Sequence, residues 1–169
     1  MVNVWSVESK SLLSTCTGHT YTVDTLAVMP DGKRILSGAG GRDKTVRVWD
    51  LDGTLVHTLQ CGYKFSNLHV VVDDDMYKAI HTDEVTSLVA LPDNQHALVG
   101  VGNGIVKLLN ANAGTTVCTF THLHMLRCLA LMPDGRRIVG LADHAHGYGL
   151  DCIIAEHGLD PRLAASPAV

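Results

Sequence analysis

His19, Ser37 and Asp43 are the residue types of a nucleophilic relay, in which a carboxylate orients an imidazole and the imidazole takes a hydroxyl proton. Such a relay works only if each group holds the next within hydrogen-bond reach, so spacing along the chain does not decide the matter. Gly100-Val101-Gly102-Asn103-Gly104 has the composition of a phosphate-cradling loop. That chemistry needs a helix N-terminus directly after the glycines. Ile105 instead opens another apolar run, so a hairpin turn is expected. His122, His124, His144 and His146, with Cys128 and Cys152, are zinc-ligand types. Each His-x-His pair shares a face only if extended, and the second pair falls in a loosely specified turn. Satisfied or solvated histidines are therefore expected, with no metal and no cofactor. Asp73, Asp74 and Asp75 are adjacent carboxylates without the ligand spacing of a cation loop, and a solvated loop is expected there.

The elements that must position these residues repeat along the chain. His19 to Pro30, His81 to Pro92 and His122 to Pro133 align without gaps, with Val23, Val85 and Leu126 four residues after the histidine. Each segment carries a short aliphatic run and then Pro-Asp-Gly or Pro-Asp-Asn, which is turn chemistry. A second apolar run follows: Ile35-Leu36, Ala97-Leu98 and Ile138-Val139. This predicts a β-hairpin three times over. A third strand is predicted at Thr45–Trp49 and again at Ile105–Leu109, with outer strands near Thr54–Leu59 and Thr115–Phe120. Four short antiparallel strands per unit, with no helical periodicity, predict an all-β propeller blade.

Gly18-His19, Ser37-Gly38 and Asp43-Lys44-Thr45-Val46-Arg47-Val48-Trp49-Asp50 resemble a WD repeat from its GH to its WD dipeptide. The resemblance is specific in this unit, fades through the next two, and covers about residues 1 to 157. It implies a partial WD-repeat β-propeller with units near 1–17, 18–61, 81–121 and 122–157. Val2–Trp5 and Leu12–Cys16 would be the third and outer strands of a preceding blade. Residues 62–80 read as an insertion or a decayed blade, because Pro30 to Pro92 spans 62 residues against 41 for Pro92 to Pro133. Residues 158–169 read as a tail. About three and a half blades fall short of a closed ring, so the expected context is a larger propeller, with self-association or completion by further repeats.

The resemblance also implies a structural reading of the first three residues. His19, Ser37, Asp43 and Trp49 would form a polar network that locks the blade rather than a catalytic relay. Unit two keeps His81 and Asn103 of that set, with Val99 and Leu109 in the Ser and Trp positions. Unit three keeps His122 and Asp143, with Gly140 in the Ser position. The spacing from Ser37 to Asp43 is two residues longer than usual, through Gly40-Gly41-Arg42. The partner face implied for the family maps to Tyr21, Arg42, Asp83, Glu84 and His124, of which Arg and Tyr are favoured anchors.

Composition narrows the function classes. The 169 residues are 46% hydrophobic and 18% charged, which favours a packed core over disorder. Thirteen Lys and Arg against 17 Asp and Glu, with no basic run, disfavour nucleic acid as a partner. Five cysteines without a CxxC spacing point to reduced, packed thiols. The start has no basic segment followed by an apolar one, and the charge-free stretch Leu108 to Leu126 is too polar to span a bilayer. An intracellular protein, cytoplasmic or nuclear, is expected. The expected function is a non-enzymatic scaffold or adaptor that binds other proteins or peptides. The alternative is a substrate-receptor propeller of a larger enzyme assembly such as a ubiquitin ligase.

Overall fold

A computed structural model describes residues 1–62, 83–121, 126–135, 137–143 and 150–156. Residues 63–80 of the expected insertion, the expected tail 158–169, His81, His122 and His124 lie outside the described residues, as do Asp73–Asp75, His144 and His146. The described residues form strands and turns, with no helix.

The repeating hairpin is built by one turn used three times. After β3 (Val23–Val28), β7 (Val85–Ala90) and β11 (Leu126–Leu131), the chain reverses into β4 (Arg34–Ala39), β8 (His96–Val101) and β12 (Arg137–Asp143). Gly32, Asn94 and Gly135 sit at φ +68°, +56° and +66°, the left-handed conformation that glycine and asparagine tolerate. Their amides donate to Met29, Leu91 and Met132 carbonyls at 2.8, 3.4 and 2.9 Å. The carboxylates of Asp31 and Asp93 accept from the amides two residues on, Lys33 and Gln95, at 3.0 Å each.

β5 (Thr45–Asp50) and β6 (Leu55–Gln60) complete one four-stranded antiparallel sheet, ordered β3-β4-β5-β6. β9 (Ile105–Asn110) and β10 (Thr115–Thr121) complete the next, ordered β7-β8-β9-β10. β13 (Leu150–Glu156) joins β11 and β12 in a three-stranded sheet. At the front, β1 (Val2–Trp5) and β2 (Leu12–Cys16) form a two-stranded sheet. Among the described residues the fold is all-β, antiparallel sheets of two to four strands stacked as in a partial propeller.

Alternation decides which side chains share a face, and the sheets stack so that these faces meet. Leu36, Val46 and Val48 point from one sheet into the next, against Val85, Leu88, Val99 and Leu109. The other side of that second sheet sends Leu98, Val106 and Leu108 against Leu126, Leu129 and Ile138. On the opposite side of the first sheet, Ile35 and Trp49 meet Val2 and Cys16 of the two-stranded sheet. Polar links run between neighbours too: Asn94 Oδ1 accepts from the Asp31 amide at 2.7 Å, and Ser87 Oγ accepts from the Leu129 amide at 3.0 Å.

Packing is close where β4 meets β7. A Cβ at Gly38 would sit 2.7 Å from Thr25 Cγ2 and overlap Val85. Gly38→Ala should therefore force the two sheets apart and cost about 1–3 kcal/mol, read as a lowered midpoint in urea melts. A midpoint equal to that of the unsubstituted chain would mean that the contact relaxes freely.

Candidate functional site

β4 and β5 present Ser37 and Trp49 on one face, and the segment before β3 returns His19 over them. The Trp49 indole N–H donates to Ser37 Oγ at 2.7 Å. Because Trp only donates, the Ser37 hydroxyl keeps its proton for His19 Nε2, 2.7 Å away. That fixes the other ring nitrogen as the N–H, which donates to Asp43 Oδ1 at 3.1 Å. Asp43 is saturated: Oδ2 accepts from the Thr20 amide at 2.6 Å and its hydroxyl at 3.0 Å, and Oδ1 accepts from the Thr45 amide at 3.2 Å and the Thr45 hydroxyl. The indole edge also packs on the His19 ring, centroids 6.1 Å apart.

The long spacing from Ser37 to Asp43 is absorbed locally. Gly41 turns at φ +54° and the Asp43 amide closes on the Gly40 carbonyl at 3.2 Å, so Asp43 still reaches His19. The hydrogen-bond order Ser–His–Asp is that of a nucleophilic relay, but burial decides what it can do. Ser37 is fully buried, its Oγ carries the indole as well, and the His19 and Asp43 side chains are buried with it. A substrate carbonyl has no approach to Oγ, whereas a relay needs an open face on its nucleophile. What remains is a polar clasp tying the loop before β3 to β4 and the β4–β5 turn.

Burial acts oppositely on the two ionisable members. Desolvation lowers His19 from 6.5, and the Asp43 hydrogen bond and charge only partly offset it, so the ring is neutral. Desolvation would raise Asp43, but hydrogen bonds from Thr45, Thr20 and His19 outweigh it and hold the carboxyl at about 2.

The second unit is wired differently. Val99 and Leu109 fill the Ser and Trp positions as buried apolar groups. Asn103 repeats the turn role of Asp43, accepting from the Ile105 amide at 3.3 Å, and its Nδ2 donates to Asp83 Oδ1 at 2.5 Å. Asp83 Oδ2 also lies 3.5 Å from Lys44 Nζ of the preceding sheet. Asp83, expected on an exposed partner face, is thus buried as a bolt between two sheets, because a carboxylate taken from water needs these donors. Sequence alone offered one signal for this: Asp83 and Asn103 flank the same pair of strands. Glu84 is half-buried and its Oε1 accepts from the Gly41 amide at 2.9 Å. In the third unit Gly140 lies in β12 opposite Leu129, and Asp143 ends that strand.

Tyr21 and Arg42 are both exposed. The Tyr21 ring lies against Gly41, where any Cβ would overlap it. Together with the Glu84 bond, this holds the backbone next to Arg42 in one conformation. Asp24 sits in the same cluster; burial and then the Glu84 charge push its carboxyl up, against a lowering bond from the Gly40 amide. Among the described residues no three His, Cys, Asp or Glu side chains gather as a metal site.

Comparisons with known proteins agree with this geometry. Residues 10–50 match the family model described as WD domain, G-beta repeat. The B-type cell cycle switch protein ccs52A of Medicago truncatula is 50% identical over 48 residues, 28% of this chain and 10% of that protein. WD repeat and SOCS box-containing protein 1 of Homo sapiens is 43% identical over 61 residues, 35% of this chain and 14% of that protein. The nuclear distribution protein PAC1 of Coccidioides posadasii (strain C735) is 28% identical over 129 residues, 72% of this chain and 23% of that protein. The chain spans less than a quarter of the length of these relatives.

Asp43→Ala should leave the Thr20 and Thr45 donors and His19 without their acceptor and cost about 1–3 kcal/mol. Asn103→Ala should cost less, because the Ser and Trp partners of the first unit are absent around it. Equal losses in urea melts would count against the clasp.

Acid should also loosen the clasp in two steps. A folded pKa below the unfolded one means that the unfolded chain binds protons first, so stability is lost as pH falls. For His19 the loss begins as pH drops below 6.5; for Asp43 it runs from 3.8 down to about 2. Thermal melts across pH 7 to 2 should show the second loss in the unsubstituted chain and a flatter curve in Asp43→Asn.

Proposed function

Because this chain is a WD-repeat protein, we propose that it is a non-enzymatic scaffold or adaptor that binds other proteins or peptides. The observation that carries the reading is the contrast within one blade. The Ser–His–Asp set is sealed inside, while the Tyr21–Arg42 edge beside it is exposed and held by Gly41 and Glu84. A loop anchored on rigid strands is where recognition belongs. An anchor that loses little freedom on binding keeps more of its contact energy. Tyr and Arg are also the side chains that carry interface energy most often. Asp83 is withdrawn from the proposed face, which is then built on Tyr21 and Arg42, with Glu84 as support.

The formal charge of -4 fits protein partners better than nucleic acid. The same reading places the protein in the cytoplasm or nucleus, where its cysteines stay reduced; Cys16 and Cys61 are buried and burial raises both thiols, Cys61 to about 11. A second reading, a substrate receptor within a larger enzyme assembly such as a ubiquitin ligase, is favoured by the match to a relative whose name joins WD repeats to a SOCS box.

Capture of binding proteins by the unsubstituted chain and by the Tyr21→Ala/Arg42→Glu double variant tests the proposal. Loss of one anchor of about 1.4 kcal/mol is a tenfold change in affinity, so specific partners should be depleted about tenfold or more while thermal melts stay unchanged. Equal recovery by both proteins would remove this edge as the binding surface.

A further inference from the structure

Six residues separate β2 from β3 and four separate β10 from β11, but 24 separate β6 from β7. The extra length falls at one place. Gly18 lies two residues past the end of β2, and His19-Thr20 follow it directly. Gly62 lies two residues past the end of β6, and the matching pair, His81-Thr82, follows only after 18 intervening residues. Val23 and Val85 then stand four residues after their histidines.

The described residues on either side of this interval meet. A Cβ at Gly62 would sit 2.8 Å from Asp83 Cβ and 2.5 Å from the Asp83 carbonyl oxygen. Such contact suits the two ends of a β-turn, whose first and fourth Cα atoms lie within about 7 Å. Gly62, His81, Thr82 and Asp83, joined in that order, would supply the four residues. Both ends are also pinned. The Cys61 and Gly62 amides donate to the Lys44 carbonyl at 3.0 and 3.3 Å, and Lys107 Nζ donates to the Cys61 carbonyl at 2.6 Å. On the return side the Gly102 amide donates to the Glu84 carbonyl at 2.8 Å.

The two sheets that this connection joins are in direct contact from rim to rim. Leu36, Val46 and Val48 pack on Val85, Val99 and Leu109 between them. Toward the rim opposite Gly62, the Asp31 amide donates to Asn94 Oδ1 at 2.7 Å and His57 Nε2 donates to the Asn112 carbonyl at 3.0 Å. A further blade has no gap to fill between them. We infer that residues 63–80 are an insert placed between Gly62 and His81, not a decayed blade, and that the seam between the two sheets closes without them. Loop closure grows costlier only slowly with length, so a seam held at both rims tolerates such an excursion. The insert is separable whether or not the Tyr21–Arg42 edge is a binding surface.

Two variants of the full chain test this. In one, Gly62 is joined directly to His81; in the other, residues 63–80 are replaced by Gly and Ser residues in equal number. Both should keep a cooperative urea melt and strand-type circular dichroism. Both should also keep slow hydrogen exchange at the Cys61 and Gly102 amides, which report on the two sides of the seam. Loss of the cooperative melt in the Gly/Ser chain overturns the proposal, because residues 63–80 then contribute to the core. Unfolding of the deletion chain alone overturns it as well, since Gly62 and His81 are then not the ends that belong together. So does loss of amide protection at Cys61 or Gly102 in either chain, since the seam then needs the segment to stay closed.

Discussion

A twisted sheet of this size has two apolar faces and no interior of its own, so each four-stranded unit is stable only when both faces are covered by neighbours. Everything described above depends on that constraint. It explains why Leu36, Val46 and Val48 meet Val85, Val99 and Leu109, and why the other side of the second sheet meets Leu126 and Leu129. It explains why Trp49, the largest fully buried side chain, sits where only a preceding sheet can close over it. Among the described residues no complete sheet covers Trp5 and Leu26, and both are exposed.

The polar clasp follows from the same stacking. Burying Trp49 buries its indole N–H, which must then find an acceptor. Ser37 supplies one, His19 satisfies Ser37, and Asp43 satisfies His19. The chain of obligations ends only at Asp43, whose charge is compensated by four donors besides the imidazole. Where Leu109 replaces the tryptophan the obligation disappears, and Val99 can replace the serine without leaving an orphan. The polar capacity of the second unit is spent instead on Asp83, Asn103 and Lys44, which tie neighbouring sheets together. A triad of catalytic residue types is thus a by-product of packing an indole, and the exposed chemistry lies on the adjoining turn.

Much of this was readable from residue order. Alternation and the turn residues placed β5, β6, β9 and β10 within one residue of where they lie, because strand period and turn conformation are local properties of the backbone. Pro-Asp-Gly and Pro-Asp-Asn marked the hairpins, since few residues accept the left-handed conformation those turns need. The resemblance to a WD repeat grouped His19, Ser37, Asp43 and Trp49. Only tertiary structure decided the rest. Alternation says which side chains share a face, not whether a neighbour covers it, so Leu26 and Leu88 read alike and lie in opposite environments. A loop position says nothing about the donors brought to it from another sheet, so Asp83 read as surface until Lys44 and Asn103 closed on it. Burial and through-space pairing are long-range properties, set by how sheets stack, and no local window of residues contains them.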